Sequence, residues 1–255
     1  MFINIGNAKI YSTSFGLKSN PAILGIGGWI GSWELWAEPF SALSQNWHTI
    51  AYDHRGTGAT FAPVESITFD RLVQDVFVVM DAYDIQRCVL AAESAGALTA
   101  LAAALQNPQR ISGLVIVDGM TFRSTAREKD PFLMGLQQAY PATLGHFVNA
   151  CLPDADSEHI RRWGRKIIDR ASQEAAIVLY GTASEVDLRS KLGDIAQPTL
   201  IFHGEADAIV PLAEAQAMAE LIPNAKLVVL KGAGHVPTLT HPNVIAQGIN
   251  ATFLA

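Results

Sequence analysis

Two periodicities alternate along the chain. Short runs rich in apolar residues at 22–26, 47–52, 89–91, 114–117, 199–202 and 227–230 have the length of strands, and the continuous apolar runs at 22–26 and 114–117 suit strands buried on both faces of a parallel sheet. Between them, apolar residues recur every three or four positions. Leu72, Val73, Val76, Val79 and Met80 predict an amphipathic helix over 69–83, and Leu98, Leu101, Ala102 and Leu105 predict another that stops at Asn107-Pro108. Further helices are expected over 33–44, with Ser32 placed to cap it, over 212–221, and after Pro242. Residues 3–5 and 9–14 read as two short strands about the Gly6-Asn7 turn. Alternating strands and helices predict an α/β fold: a mostly parallel central sheet of about eight strands, with helices on both faces and right-handed crossovers.

The rhythm breaks once. From residue 121 to 194 there is no comparable strand run, and residues 132–140, 143–150, 158–170 and 173–182 read as helices separated by Pro and Gly. The expected organisation is therefore a core of residues 1–120 and 195–255, with a helical cap of residues 121–194 inserted after the sixth strand.

Composition narrows the function classes. The chain has 255 residues and an apolar share of 49%, ample for a large core. No apolar run is long enough to span a bilayer, and the N-terminal Met1-Phe2-Ile3-Asn4-Ile5 lacks the pattern of a secretory leader, so a cytoplasmic protein is expected. Cys88 and Cys151 have neither disulfide-framework nor metal spacing and read as free thiols; no metal site is expected. A net charge of -6 with mostly dispersed basic residues argues against a nucleic-acid partner. The run Arg161-Arg162-Trp163-Gly164-Arg165-Lys166 reads as a solvated helix face. Monomer and homodimer are both open.

In open α/β sheets, sites form beyond the carboxyl ends of the strands. There the sequence offers Gly28-Trp29, Asp53, Ser94, Asp118, Asp207 and His235. The stretch Leu90-Ala91-Ala92-Glu93-Ser94-Ala95-Gly96 passes from strand to helix through a serine with small residues two positions to either side. Such a turn suits a serine whose Oγ is held out of the backbone, and it also suits an ordinary helix cap. His235, in the loop Gly232-Ala233-Gly234-His235-Val236-Pro237, is the histidine best placed to take a proton from that hydroxyl. Asp207 is the candidate acid to orient it, with Asp118 in reserve. His203 is expected to hydrogen-bond within its own turn, Glu93 and Glu205 to be solvated or structural, and the turn from Asp53 to Gly58 to serve architecture. The glycine-rich loop Gly27-Gly28-Trp29-Ile30-Gly31 lacks both phosphate-binding patterns and fits better as a loop bringing backbone N–H groups toward a reacting atom.

The order Ser94, Asp207, His235, together with Asp53-His54-Arg55-Gly56-Thr57-Gly58-Ala59-Thr60, Asn107-Pro108-Gln109-Arg110-Ile111 and the segments 198–211 and 223–235, resembles the α/β-hydrolase fold superfamily, in its small cap-bearing esterase, lactonase and meta-cleavage-product hydrolase branch. The resemblance covers the core nearly end to end. It implies Ser94 as nucleophile, Asp207 as acid and His235 as base, with the oxyanion hole formed by the backbone N–H groups of Trp29 and Ala95. Two residues depart from the family pattern. Ala92 stands for the first glycine of G-x-S-x-G, where one methyl is expected to fit. Gly27 stands for the histidine of the usual His-Gly pair, which takes a side-chain anchor from the loop carrying Trp29. The implied activity is hydrolysis of a small hydrophobic ester or lactone through an acyl-enzyme, without metal or organic cofactor. Carbon-carbon bond hydrolysis of a ring-cleavage product and a ligand sensor with little turnover are the alternatives. A serine at the elbow disfavours haloalkane dehalogenase and epoxide hydrolase chemistry, which needs a carboxylate there. Gly28, Trp29, Phe122, Phe132, Leu136, Tyr140 and Val236 are the candidate lining of an apolar substrate pocket.

Overall fold

The apolar runs become the strands of one eight-stranded sheet. The computed structural model describes residues 1–122, 130–153, 156–184 and 186–254. Its strands are β1 (Phe2–Ile5), β2 (Ala8–Phe15), β3 (Ala22–Ile26), β4 (His48–Tyr52), β5 (Cys88–Glu93), β6 (Ile111–Val117), β7 (Thr199–Gly204) and β8 (Ala225–Leu230), in the order β1-β2-β4-β3-β5-β6-β7-β8. β1 and β2 pair antiparallel, β2 meets β4 antiparallel, and every other pairing is parallel.

The central strands are buried and largely apolar because both faces are covered, and period-2 alternation sorts their side chains between two cores. Leu24, Ile26, Leu90, Ala92, Leu114, Ile116 and Ile201 point to the face covered by α2 (Phe69–Ala82), α3 (Gly96–Gln106) and α8 (Leu212–Leu221). Ile23, Val89, Ala91, Val115, Val117, Leu200 and Phe202 point to the other face, against α1 (Ala37–Leu43) and α10 (Pro242–Phe253). In α3 the buried alanines Ala97, Ala100, Ala103 and Ala104 let the helix lie close on the sheet.

Among the described residues between β6 and β7 lie four α-helices, α4 (Pro131–Gln138), α5 (Tyr140–Cys151), α6 (Glu158–Ile168) and α7 (Gln173–Thr182). The two ends of this insertion meet: Phe122 and Asp187 form an antiparallel bridge, and the Leu188 N–H donates to the Thr121 carbonyl. A short α9 (Pro237–Thr240), not anticipated from the sequence, follows His235. No helix among the described residues is long and apolar enough to cross a membrane.

One expected cap is replaced. Residues 33–36 form a 3-10 turn before α1, and Ser32 makes no capping hydrogen bond; its hydroxyl is taken by Glu34 and by Arg170, at 3.0 Å. The Asp53 carboxylate serves that terminus instead, accepting the Trp33 N–H at 2.8 Å and the Ala59 N–H at 2.7 Å. The turn from Asp53 is further braced by the buried bidentate pair of Arg55 with Asp75, at 2.6 and 3.0 Å. The architectural reading of that turn agrees with these contacts.

Candidate active site

The sheet brings the candidate residues to a common level. The Ser94 N–H bonds the Val117 carbonyl and the Asp118 N–H bonds the Phe202 carbonyl, so the ends of β5, β6 and β7 stand side by side. Ser94 adopts φ 51°, a left-handed conformation that a serine rarely takes without constraint from its surroundings. The constraint is steric. A Cβ at Gly96 would lie 2.4 Å from the Gly27 carbonyl oxygen, so only glycine lets α3 start this close to the loop after β3. Ala92, by contrast, has its methyl fully buried in the core beneath the sheet, where it is accommodated.

Ser94, His235 and Asp207 form one hydrogen-bonded line. Ser94 Oγ lies 2.9 Å from His235 Nε2, and His235 Nδ1 lies 2.7 Å from Asp207 Oδ2. The other Asp207 oxygen accepts the N–H groups of Ile209 at 2.7 Å and Val210 at 3.0 Å, which fixes the carboxylate. The His235 loop is stitched on two sides. Its Ala233 carbonyl accepts the Ala206 N–H at 2.9 Å, and the His235 N–H reaches the Cys151 carbonyl at the end of α5, at 2.8 Å. The second attachment ties the imidazole to the helical insertion and requires Gly234, whose Cβ would lie 2.5 Å from that same carbonyl. This arrangement can polarise a hydroxyl for attack on a carbonyl and stabilise the imidazolium that results.

Around this line the other acids are kept neutral. Burial, reinforced by the nearby Asp207 charge, pushes the Asp118 carboxyl up to about 9, and burial pushes Glu93 up to about 8. Asp118 Oδ1 accepts the Gly204 N–H at 2.8 Å. His203, whose basicity is lowered by burial, bonds the Val210 carbonyl at 2.9 Å within its own turn, as expected. Asp118, His203 and Asp207 together present three converging potential metal ligands. Asp118 Oδ1, His203 Nε2 and both Asp207 oxygens are committed to Gly204, Val210, Ile209 and His235, whereas Asp118 Oδ2 and His203 Nδ1 are buried without a hydrogen-bond partner among the described residues. Glu205 is exposed and accepts the Gly232 N–H. Glu93 is not solvated: it is 1% exposed.

The loop after β3 has anchors that the sequence did not reveal. Gly28 packs on the serine, a Cβ there falling 3.2 Å from Ser94 Cβ. His54 Nε2 bonds the Gly28 carbonyl at 2.9 Å, and the Trp29 indole N–H donates to the Ala176 carbonyl of α7 at 2.9 Å. The Trp29 ring is met edge-on by Phe132 of α4, Phe147 of α5 and Tyr180 of α7, with centroids 5.2, 5.3 and 6.0 Å away. The anchor missing at Gly27 is thus supplied from the β4 turn and from the insertion. Among the described residues, neither the Trp29 nor the Ala95 backbone N–H has an acceptor.

Two cavities share Ser94, Trp29 and Phe147. The smaller, of about 60 Å³, includes Gly28, Glu93, His235 and Val236 in its lining; the larger, of about 630 Å³, includes Ala95, Phe122, Phe132, Tyr180, Ile209 and Val210. Gly28, Trp29, Phe122, Phe132 and Val236 therefore lie where a pocket lining was expected. Leu136 and Tyr140 line neither cavity. Leu136 is fully buried in the interior of the helical insertion, and the Tyr140 hydroxyl donates to the Ala171 carbonyl at 2.9 Å, so both hold the insertion together. Sequence reasoning missed Ile209 and Val210, although their place just after Asp207 was a signal, and it missed Tyr180, for which helical spacing gave none.

The alpha/beta hydrolase fold family model matches residues 21–165 and 161–242. A Caulobacter vibrioides protein named "Putative carbamate hydrolase RutD" is 28% identical over 86% of this chain and 85% of its own length. A Nitrosomonas europaea pimeloyl-[acyl-carrier protein] methyl ester esterase is 29% identical over 91% of this chain and 96% of its own. Among solved structures, the enol-lactonase of Burkholderia xenovorans LB400 superposes with TM-score 0.92 at 20% identity, all of both chains being covered, which is a likeness of fold. An eight-stranded sheet in this order, a strained serine at the end of its fifth strand and relatives that are hydrolases lead to one assignment: the chain belongs to the alpha/beta hydrolase fold family and is a hydrolase.

Proposed function

We propose that the protein is a serine hydrolase that cleaves a small, predominantly hydrophobic ester or lactone, with Ser94 as nucleophile, His235 as general base and Asp207 as the orienting acid. The observation that carries this reading is the hydrogen-bonded line from Ser94 Oγ through His235 to Asp207, at 2.9 and 2.7 Å.

In the proposed reaction, Ser94 Oγ attacks the carbonyl carbon while its proton passes to His235 Nε2. The oxygen that gains charge is received by the N–H groups of Trp29 and Ala95, whose lack of other acceptors among the described residues supports the role. His235 returns the proton to the departing group as the carbon–oxygen bond breaks. Water, activated by the same imidazole, then cleaves the acyl-enzyme. Neutral Asp118 spares Asp207 a second adjacent negative charge, so Asp207 remains free to stabilise the imidazolium.

The helices from α4 to α7 are proposed as a cap over this site. Support comes from the four contacts that Trp29 makes with them. The largely apolar lining of the smaller cavity and the aromatic rings of the larger, which also includes Asp130 and Glu214, support a predominantly hydrophobic substrate, and two free, buried cysteines are consistent with a reducing, cytoplasmic setting. The reading is tested by reaction with a fluorophosphonate probe followed by a panel of aryl esters and lactones. Labelling at Ser94, with turnover of apolar esters, is the expected result. Absence of labelling, or preference for highly charged esters, overturns it. Turnover confined to ring-cleavage products would instead assign carbon-carbon bond hydrolysis.

A further inference from the structure

Ser94, Trp29 and Phe147 line both of the cavities that meet at the serine, and among the described residues of the helical insertion Phe147 alone does so. Its ring meets Trp29 edge-on, with centroids 5.3 Å apart, and lies 5.7 Å from that of Phe132. With Trp29 it therefore stands between two spaces of very different size, about 60 Å³ and about 630 Å³. An apolar cavity of about 150 Å³ takes a benzene ring, or about 25 Å³ per carbon, so the smaller space has room for about two or three heavy atoms. Its walls include Val148 and Leu152 at the end of α5 and Ile167 of α6. All three are buried and belong to a packed hydrophobic core, so this space cannot widen without displacing that core.

The two spaces differ in which part of an ester they can take. Of the two, His235 lines only the smaller and Ala95 only the larger. An alkoxide leaves with a proton from His235 Nε2, so its oxygen lies on the imidazole side of the reacting carbon. The acyl chain takes the other direction, past Ala95 into the larger cavity, where the rings of Phe132 and Tyr180 suit an apolar group. We propose that the smaller cavity is a leaving-group site sized for a methoxy or ethoxy group, and that Phe147 is the specificity-determining residue that divides it from a roomy acyl site. The substrate class is then a methyl or ethyl ester of a much larger, predominantly apolar acid. This rests on the serine-hydrolase reading above. An aryl oxide departs as a stable anion without a proton from the imidazole, so the limit concerns alkyl esters.

The test uses two ester series, each kcat/KM normalised to the hydroxide-catalysed rate. One runs from methyl to butyl esters of phenylacetic acid, the other over methyl esters of acetic, butanoic and phenylacetic acids. In the wild type, kcat/KM is expected to fall roughly 10-fold or more between the ethyl and butyl phenylacetates, the scale on which a packed apolar pocket rejects added methylenes. It is expected to hold or rise as the acid grows. Phe147→Ala joins the two spaces and is expected to flatten the alcohol series. A wild-type profile that is flat across the alcohols, or that falls with the size of the acid instead, overturns the proposal whether or not Phe147→Ala folds. An undiminished slope in Phe147→Ala, shown by calorimetry to be folded, also overturns it. Affinities of Ser94→Ala for the methyl and butyl phenylacetates, measured by NMR titration, are expected to favour the methyl ester by a similar factor without turnover. Undiminished hydrolysis by Ser94→Ala would count against the serine mechanism, while the affinity ratio still decides the size limit.

Discussion

The loops at the strand ends and the helices above them are built by different means. At the strand ends, backbone meets backbone: Gly96 lies against the Gly27 carbonyl and Gly234 against the Cys151 carbonyl, each too close to admit a side chain without displacement. The insertion is held by side chains instead, through the rings around Trp29, the Tyr140 hydroxyl and the buried Leu136. Backbone packing leaves few permitted residues, whereas side-chain packing can be satisfied by many combinations of similar volume. Under the proposed function, the first region fixes the chemistry, and the second is free to set which substrate reaches it.

The largest effect should come from the strand-end region. Ser94→Ala is expected to lower kcat by about 10⁴-fold or more while leaving thermal unfolding nearly unchanged; steady-state kinetics beside calorimetry would show both. Activity close to wild type would break the comparison at its centre.

Trp29 belongs to both regions, so Trp29→Ala should damage both. Emptying a 9% exposed indole position is expected to cost about 3–5 kcal/mol in urea unfolding, with loss of the contacts from α4, α5 and α7. If stability fell and kcat did not, the loop would be shown not to depend on its anchor in the insertion.

Glu93 carries the cost of its burial. An acid whose folded pKa lies near 8 against an ordinary 4.5 makes the fold less stable as pH rises between those values. Below about pH 4 the wild type and Glu93→Gln should be equally stable. At pH 7 the variant should be the more stable by about 3 kcal/mol, because it no longer has to hold a proton against solvent. Unfolding curves at several pH values would test this, and a pH-independent difference would deny that burial sets the shift.

The smallest effect is expected at Tyr140, within the insertion and away from both cavities. Tyr140→Phe removes its bond to the Ala171 carbonyl and should cost about 1 kcal/mol, with kcat/KM for small esters unchanged. A change in substrate preference would return Tyr140 to the pocket from which the structure removes it.

Much of the fold was legible because burial on both faces of a parallel sheet leaves a plain mark, a continuous apolar run. The runs at 22–26, 114–117 and 199–202 all became strands. Ser94, Asp207 and His235 were legible for a related reason: each follows such a run, and chain order alone carried them to one edge of the sheet. Ser32 misled because a serine before a helical pattern looks the same whether its hydroxyl caps the helix or, as here, pairs with Glu34 and Arg170. Leu136 and Tyr140 misled because apolar residues on a helix have the same spacing whether they face a pocket or a neighbouring helix.

The amino-acid sequence by itself determined the order of strands and helices, the interruption after the sixth strand and the candidate reacting side chains, since periodicity and small residues at sharp turns are local properties. Only the tertiary structure decided that His54 and Ala176 anchor the loop lacking its usual histidine, that Glu93 is sealed beside Ser94 with an oxygen unpaired, and that two cavities meet at the serine. Those depend on which atoms of distant segments come within a few ångströms of each other, and on how much water they exclude, neither of which a local pattern encodes.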